Sequence, residues 1–147
     1  MKNIVIATLI ATAALSASAV EIGLTTAHAD VNERNSTGIT VGQSFGKIGV
    51  TAGFERTTTG VTQDRYSLVG SYNVASLGSV AVAAKVGGAY LNNAKGADGY
   101  ALTVGVGASL PVTQHASVGV DVSRQYGQER VEAFNGTRVA AGVKYTF

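Results

Sequence analysis

The chain offers few side chains that could carry out chemistry, since it has two histidines and no cysteine. His115 stands two residues before Ser117, and a histidine can act as the base that activates a serine hydroxyl. His28 precedes Asp30 and Glu33, a composition that could begin a metal site if further ligands converged from another loop. Neither group is complete within its own segment. We therefore interpret both histidines as loop or turn residues and predict no enzyme activity, no metal site and no cofactor.

A second group of residues is defined by charge. Within segments of alternating hydrophobicity, seven charged side chains share the face that otherwise carries glycine, alanine, serine and threonine. Ions removed from bulk water must pair, because uncompensated burial costs several kcal/mol. We predict that these seven residues form a paired network in an enclosed interior: Glu21, Glu55, Arg65, Lys85, Asp121, Arg138 and Lys144.

The first nineteen residues have the organisation of an export signal. Lys2 is followed by an apolar run over 4–15 and by Ala17-Ser18-Ala19, a small-residue cleavage site. The run is shorter than the ~20 apolar residues that a membrane-spanning helix needs. We predict a cleaved signal peptide over 1–19 and one domain over 20–147. The net charge of +2 without a basic cluster argues against a nucleic-acid partner.

The remainder of the chain divides into eight segments that alternate between apolar and polar residues, each close to the ~9–11 residues of a tilted membrane-crossing strand. The predicted strands are Val20–His28, Thr37–Phe45, Ile48–Thr57, Asp64–Asn73, Ser79–Leu91, Gly99–Leu110, Ala116–Tyr126 and Thr137–Phe147.

The connections between these segments alternate in length. Tight turns at 46–47, 74–78 and 111–115 alternate with polar and mostly longer loops. This pattern predicts an antiparallel up-and-down barrel with a short-turn rim and a long-loop rim. With eight strands, both termini lie at the short-turn rim, which faces the periplasm if the barrel is bacterial.

The orientation of the two faces follows from side-chain size and from the positions of the rings. The polar face is too small and too poor in lysine and glutamate for a water-exposed exterior, whereas an eight-stranded lumen has little room. A soluble lipocalin-type barrel, with its apolar face inside, is the alternative. The aromatic residues of the apolar face cluster near the strand ends, as two lipid–water interfaces require. These predicted girdles comprise Phe45, Phe54, Tyr66, Tyr72, Tyr90, Tyr100, Tyr126, Tyr145 and Phe147.

The signal peptide, the strand rhythm and the ending Val143-Lys-Tyr-Thr-Phe147 together resemble the small eight-stranded outer-membrane β-barrel proteins of Gram-negative bacteria. That class contains the OmpA transmembrane domain, OmpX and the Ail-like proteins. The resemblance implies an all-β transmembrane barrel in the cell outer membrane. We expect a monomer, although the sequence does not reveal the oligomeric state. The resemblance also implies that Tyr145 and Phe147 serve as the signal read by the barrel-assembly machinery. His115-Ala-Ser117 superficially resembles the pair of the lipid A deacylase barrels, but Val118 follows where that family has asparagine.

The up-and-down course of the eight predicted strands also predicts which charges meet. Glu21 and Lys144 lie on the first and last strands near the short-turn rim, and these strands are neighbours if the barrel closes. Glu55 and Arg65 flank one loop symmetrically and should face each other across a hairpin. Lys85 and Asp121 fall at similar mid-depth.

Three functions are compatible with this arrangement. The first is a structural or envelope-related role with a lumen blocked by paired charges, since interiors of this size hold side chains. The second is a narrow porin-like channel lined by the same charges. The third is a surface-binding or host-interaction role, although the loops are short. Arg56 and Arg124 have outward parity near the long-loop rim, where they could contact lipopolysaccharide phosphates.

Overall fold

The computed structural model describes residues 19–30, 33–59, 62–93, 98–128 and 135–147, and the predicted signal peptide up to residue 18 lies outside these ranges. The described residues form eight strands. They are β1 Val20–Ala29, β2 Arg34–Phe45, β3 Ile48–Thr57, β4 Gln63–Leu77, β5 Val80–Asn93, β6 Gly99–Pro111, β7 Ala116–Gly127 and β8 Gly136–Thr146.

Each strand pairs in antiparallel fashion with its neighbours in sequence, and β1 pairs with β8 to close the barrel. Closure leaves no free sheet edge. The predicted all-β, up-and-down, eight-stranded barrel is therefore confirmed. Val20 and Phe147 meet at the short-turn rim, where the Phe147 amide donates to the Val20 carbonyl at 3.0 Å. Across the described ranges, no helix has the length and apolar character needed to cross a membrane.

The short-turn rim is shaped by two glycines with positive φ. Gly46 and Gly78 both have φ of 62°, in two-residue turns that join β2 to β3 and β4 to β5. A residue without a Cβ adopts this left-handed conformation at little cost. The position of the second turn corrects the prediction that β4 ends at Asn73 and that residues 74–78 form the turn.

β4 continues to Leu77 because the sheet contains a bulge. The register with β5 shifts between Asn73 and Ala75, so Val74 is an extra residue on its strand. A bulge reverses the inward–outward alternation beyond it. Leu77 consequently shares the outward parity of its partner Val80 and is 71% exposed, rather than entering the lumen. The break in alternation at this point is the reason that the sequence pattern favoured a turn.

The distribution of apolar side chains is the reverse of that in a soluble protein. Among the described residues, the buried apolar side chains are Leu91 and four alanines. Large aliphatic residues face outward instead, with Leu24 67% and Val86 57% exposed. An exterior of this kind is stable in lipid but not in water, because burial in an apolar medium is what stabilises such surface. The arrangement excludes the lipocalin-type alternative, in which the apolar face would fill the interior.

Candidate functional site in the barrel lumen

The lumen holds ion pairs at three depths, and the most buried group surrounds Glu55 near the long-loop rim. Glu55 on β3 and Arg65 on β4 are register partners, as expected for a hairpin. Arg65 Nη1 lies 3.2 Å from Glu55 Oε1, and Arg138 Nη2 on β8 lies 2.6 Å from the same oxygen. Ser36 donates to the other carboxylate oxygen at 3.2 Å. Glu55 therefore accepts hydrogen bonds from three strands.

Burial makes this group costly to disturb. The side chains of Glu55, Arg65 and Arg138 are 6%, 11% and 13% exposed. Arg65 also donates to Thr103 on β6 at 3.3 Å, which extends the cluster across the lumen. Charges taken out of water are stabilised only when they are paired and hydrogen-bonded. The cluster meets both conditions at Glu55.

A second pair occupies the middle of the lumen. Lys85 on β5 and Asp121 on β7 form a direct salt bridge, although β6 lies between their strands. Gly107 on β6 makes this contact possible. A Cβ at that position would lie 2.9 Å from both the Cε and the Nζ of Lys85 and would collide with the Asp121 carboxylate. Glycine on the middle strand thus opens the space in which the two side chains meet.

The third pair lies near the short-turn rim. Lys144 Nζ is 3.3 Å from Glu21 Oε2, and Ser44 donates to Glu21 Oε1 at 3.1 Å. The two charged side chains are 35% and 23% exposed, well above the values at Glu55. Water therefore reaches this pair and weakens its contribution to stability.

The structure thus brings all seven predicted luminal charges into ion pairs, but the partner of Arg138 was not predicted. That contact joins β8 to β3 across the lumen. The symmetry of a hairpin could not predict it, because these two strands are not consecutive. Sequence reasoning also missed Arg34, assigned to a loop, and Gln63. Both belong to strands, and Arg34 Nη1 donates to Gln63 Oε1 at 3.1 Å. Ser36 and Arg65 face inward, and a residue two positions away on a strand lies on the same face. Extending each strand by two residues would therefore have identified Arg34 and Gln63 as inward-facing.

The rings of the predicted girdles lie at the two rims. Phe54, Tyr66, Tyr90 and Tyr100 are direct cross-strand partners on β3 to β6, with centroids 5.1, 6.5 and 5.2 Å apart. Tyr126 is 47% exposed on β7. At the short-turn rim, Tyr145 and Phe147 pack edge to face at 5.0 Å, and Phe45 and Tyr72 are about half exposed.

The two outward arginines near the long-loop rim differ. Arg56 makes a bidentate salt bridge with Asp64, at 2.7 and 3.0 Å, and stands over the Phe54 ring. Its charge is largely satisfied within the protein. Arg124 stands 5.8 Å from the Tyr126 centroid, and the described part of the chain places no carboxylate within salt-bridge distance of it.

The histidine–serine pair is not assembled. His115 Nδ1 lies 3.1 Å from the Thr146 carbonyl oxygen, and its ring stacks on Tyr145 at 5.9 Å. Ser117 lies opposite Lys144 in the register of β7 with β8. His28 Nδ1 contacts Asn35 Oδ1 at 2.9 Å. Within the described residues, no three acidic or histidine side chains are grouped as metal ligands.

No protein-family model and no curated protein matches the sequence. Solved structures do match. The N-terminal β-barrel domain of Pseudomonas aeruginosa OprF is similar over 88% of this chain and 98% of that chain, with a TM-score of 0.74 and 15% identity. Neisserial surface protein A is similar over 90% and 98%, with a TM-score of 0.63 and 18% identity. Yersinia pestis Ail is similar over 88% and 99%, with a TM-score of 0.56 and 14% identity.

The chain has the fold of the eight-stranded outer-membrane β-barrels. The two chains are similar in each case over nearly their full length, so the likeness covers the whole barrel. At 18% identity or less it concerns the backbone and not the side chains that line the lumen. The role of this barrel must therefore be argued from its own residues.

Proposed function

We propose that the protein is a non-catalytic structural component of the bacterial outer membrane whose lumen is closed to solutes by its ion-pair network. The observation that carries this proposal is the group at Glu55, where side chains from β3, β4 and β8 meet in the lumen at nearly full burial. Below it, the Lys85–Asp121 and Glu21–Lys144 pairs add two further connections. Lumens of this size are filled by side chains.

The membrane location is supported by the apolar exterior and by the rings at both rims, which suit two lipid–water interfaces. We expect the protein to fractionate with outer membranes and to migrate faster on SDS gels before boiling than after it. Closed barrels resist detergent because every strand edge is paired. Recovery as a soluble periplasmic protein would contradict this proposal.

A narrow channel is the second candidate, and the middle pair favours it. Although Lys85 and Asp121 lie at mid-depth, their side chains are 25% and 33% exposed, so the lumen contains accessible space there. Recording from the refolded barrel in planar bilayers separates the two candidates. Absence of current supports the closed lumen. Stable conductance steps that change in size in a Lys85→Gln variant would establish the channel instead.

We further propose that Arg124 contacts lipopolysaccharide phosphate at the long-loop rim. Its guanidinium is oriented by Tyr126 and has no carboxylate partner among the described residues, in contrast to Arg56. Arginine binds phosphate through paired donors. Lipopolysaccharide should raise the thermal stability of the wild-type barrel in vesicles more than that of Arg124→Gln. The matched control Arg56→Gln should keep most of the effect, and equal responses in all three proteins would contradict the assignment.

A further inference from the structure

The two halves of the lumen differ in the burial of their side chains. Among the described residues, every inward-facing side chain that is buried lies on the long-loop half of its strand. These side chains include Ala27 on β1, Glu55 on β3, Leu91 on β5, Thr103 on β6 and Ser123 on β7. The interior is therefore closely packed at one level, near the long-loop rim.

Hydrogen bonds join this packed level into one layer. Arg65 donates to Glu55 at 3.2 Å and to Thr103 at 3.3 Å, so it links β3 to β6. Arg138 and Ser36 donate to the same carboxylate from β8 and β2. With the buried side chains of β1, β5 and β7, all eight strands contribute to this level. We call the hydrogen-bonded group of Ser36, Glu55, Arg65, Thr103 and Arg138 the sealing layer.

The short-turn half of the lumen is lined by residues that leave space. Six strands place a glycine on the inward face of this half: Gly23, Gly42, Gly49, Gly107, Gly119 and Gly142. The Lys85 and Asp121 side chains at mid-depth are as exposed as the Glu21 and Lys144 side chains at the rim. Space that a water molecule can enter therefore extends from the rim to mid-depth.

The connections at the short-turn rim are too short to fold across the opening. They comprise residues 46–47, 78–79 and 112–115, and every one of these residues is exposed. A charged solute enters only water-filled space, because leaving water costs several kcal/mol. Space that is continuous with bulk water at this rim is therefore open to ions and to small hydrophilic solutes.

From these observations we infer that the short-turn half of the lumen is an aqueous vestibule, open at that rim and ended by the sealing layer. It admits small hydrophilic solutes from the periplasm in the proposed orientation. Because Glu21 and Asp121 are matched by Lys144 and Lys85, the vestibule admits either sign of charge. The inference rests on the proposed closed lumen, and it confines the barrier against solutes to one layer instead of the whole length of the barrel.

Cysteine accessibility tests the vestibule, since the chain contains no cysteine and each reaction reports an introduced residue. Ser71 is the register partner of Lys85 and is half-buried. Ser123 is the register partner of Arg138 in the sealing layer and is 8% exposed. The full chain is expressed with Ser71→Cys or Ser123→Cys in a Gram-negative host, extracted in a nonionic detergent and checked for folding by its migration before boiling.

Two methanethiosulfonate reagents of similar size serve as probes, the anionic sulfonatoethyl and the cationic trimethylammonioethyl compound. Both should modify Ser71→Cys at similar rates. Ser123→Cys should react about a hundredfold more slowly, because its modification requires a local opening of the packed level. Ala89→Cys, at another buried position of the same half, gives the same comparison if Ser123→Cys does not fold.

Vesicles show from which rim the reagent enters. With a charged reagent outside only, each molecule of Ser71→Cys/Thr62→Cys should carry one label, because Thr62 is exposed at the long-loop rim. Each molecule of Ser71→Cys/Ser79→Cys should carry two labels or none, because Ser79 is exposed at the short-turn rim. Mass spectrometry of the intact chains gives these patterns, which hold for any mixture of orientations.

The outcomes separate the vestibule from the closed lumen. Resistance of Ser71→Cys to both reagents would overturn the vestibule and leave the lumen closed, whereas reaction with only one reagent would contradict access for both charges. Two labels or none in Ser71→Cys/Thr62→Cys would place the opening at the other rim and overturn the inference. Equal rates at Ser71→Cys and Ser123→Cys would refute the sealing layer and, with it, the proposed closed lumen.

Discussion

The Glu55 cluster allows a quantitative prediction, because the lumen contains a matched carboxylate in a different environment. Glu55→Gln and Glu21→Gln are the same isosteric change on the same inward face. Glu55 is 6% exposed and contacts two arginines, whereas Glu21 is 23% exposed and contacts one lysine. The two substitutions therefore differ in burial and in the number of cations left without a counter-charge.

The geometry at Glu55 isolates the effect of charge. Both arginines contact Oε1, and Ser36 contacts Oε2. A glutamine can keep its Oε1 toward the arginines and present its amide nitrogen to the serine oxygen, so the number of hydrogen bonds is preserved. The lost stability then comes from two buried guanidinium groups without an anion. Breaking a buried pair costs roughly 3–5 kcal/mol, and we expect about 3 kcal/mol because the hydrogen bonds remain. Glu21→Gln should cost ~0–1 kcal/mol, the value of a solvated pair.

The free energy of unfolding can be measured in urea from the proportions of the folded and unfolded gel bands. A second variant, Glu55→Gln/Arg65→Met, should recover part of the loss, because it removes one of the two stranded cations. If Glu55→Gln and Glu21→Gln reduce stability by the same small amount, water solvates the cluster and the argument from burial is refuted. The same result would remove the main support for a closed lumen.

Three further predictions use the same urea assay. Gly87→Ala should lower the free energy of unfolding by about 1–3 kcal/mol, because the added Cβ would lie 2.7 Å from the Val69 Cα. A Cβ at the adjacent Gly88 would meet nothing within 4 Å, so Gly88→Ala should be near neutral. Equal effects of the two substitutions would contradict this account of the packing. Lys144→Ala should lower the free energy of unfolding by ~0–1 kcal/mol. The double variant Glu21→Gln/Lys144→Met should recover much of this loss, and a zero coupling energy between the two positions would contradict the contact. Deleting Phe147, which is 70% exposed, should lower membrane-inserted yield in cells more than refolded stability in detergent; equal losses would make it an ordinary interfacial anchor.

The alternation of residues was sufficient to predict the number of strands, the inward face of the seven luminal charges and the pairing of Glu55 with Arg65. These features depend on the two-residue repeat of a strand and on the symmetry of a hairpin, both of which are local. The end of β4 was not predictable in this way. Its bulge at Val74 breaks the alternation, and only pairing with β5 shows that the strand continues to Leu77.

The composition of the candidate site was likewise only partly encoded in a local pattern. The charge and inward parity of Arg138 are evident in the sequence, but its contact with Glu55 depends on the stagger of a closed barrel, which determines the residues that meet across the lumen. Gln63 carries no charge to attract notice, and its contact with Arg34 is apparent only in the folded structure. The sequence by itself determined that the seven predicted charges enter the lumen, whereas the inward positions of Arg34 and Gln63 were recognised only in the structure. The tertiary structure decided which of them meet, because contacts across a barrel depend on shear and closure rather than on spacing along the chain.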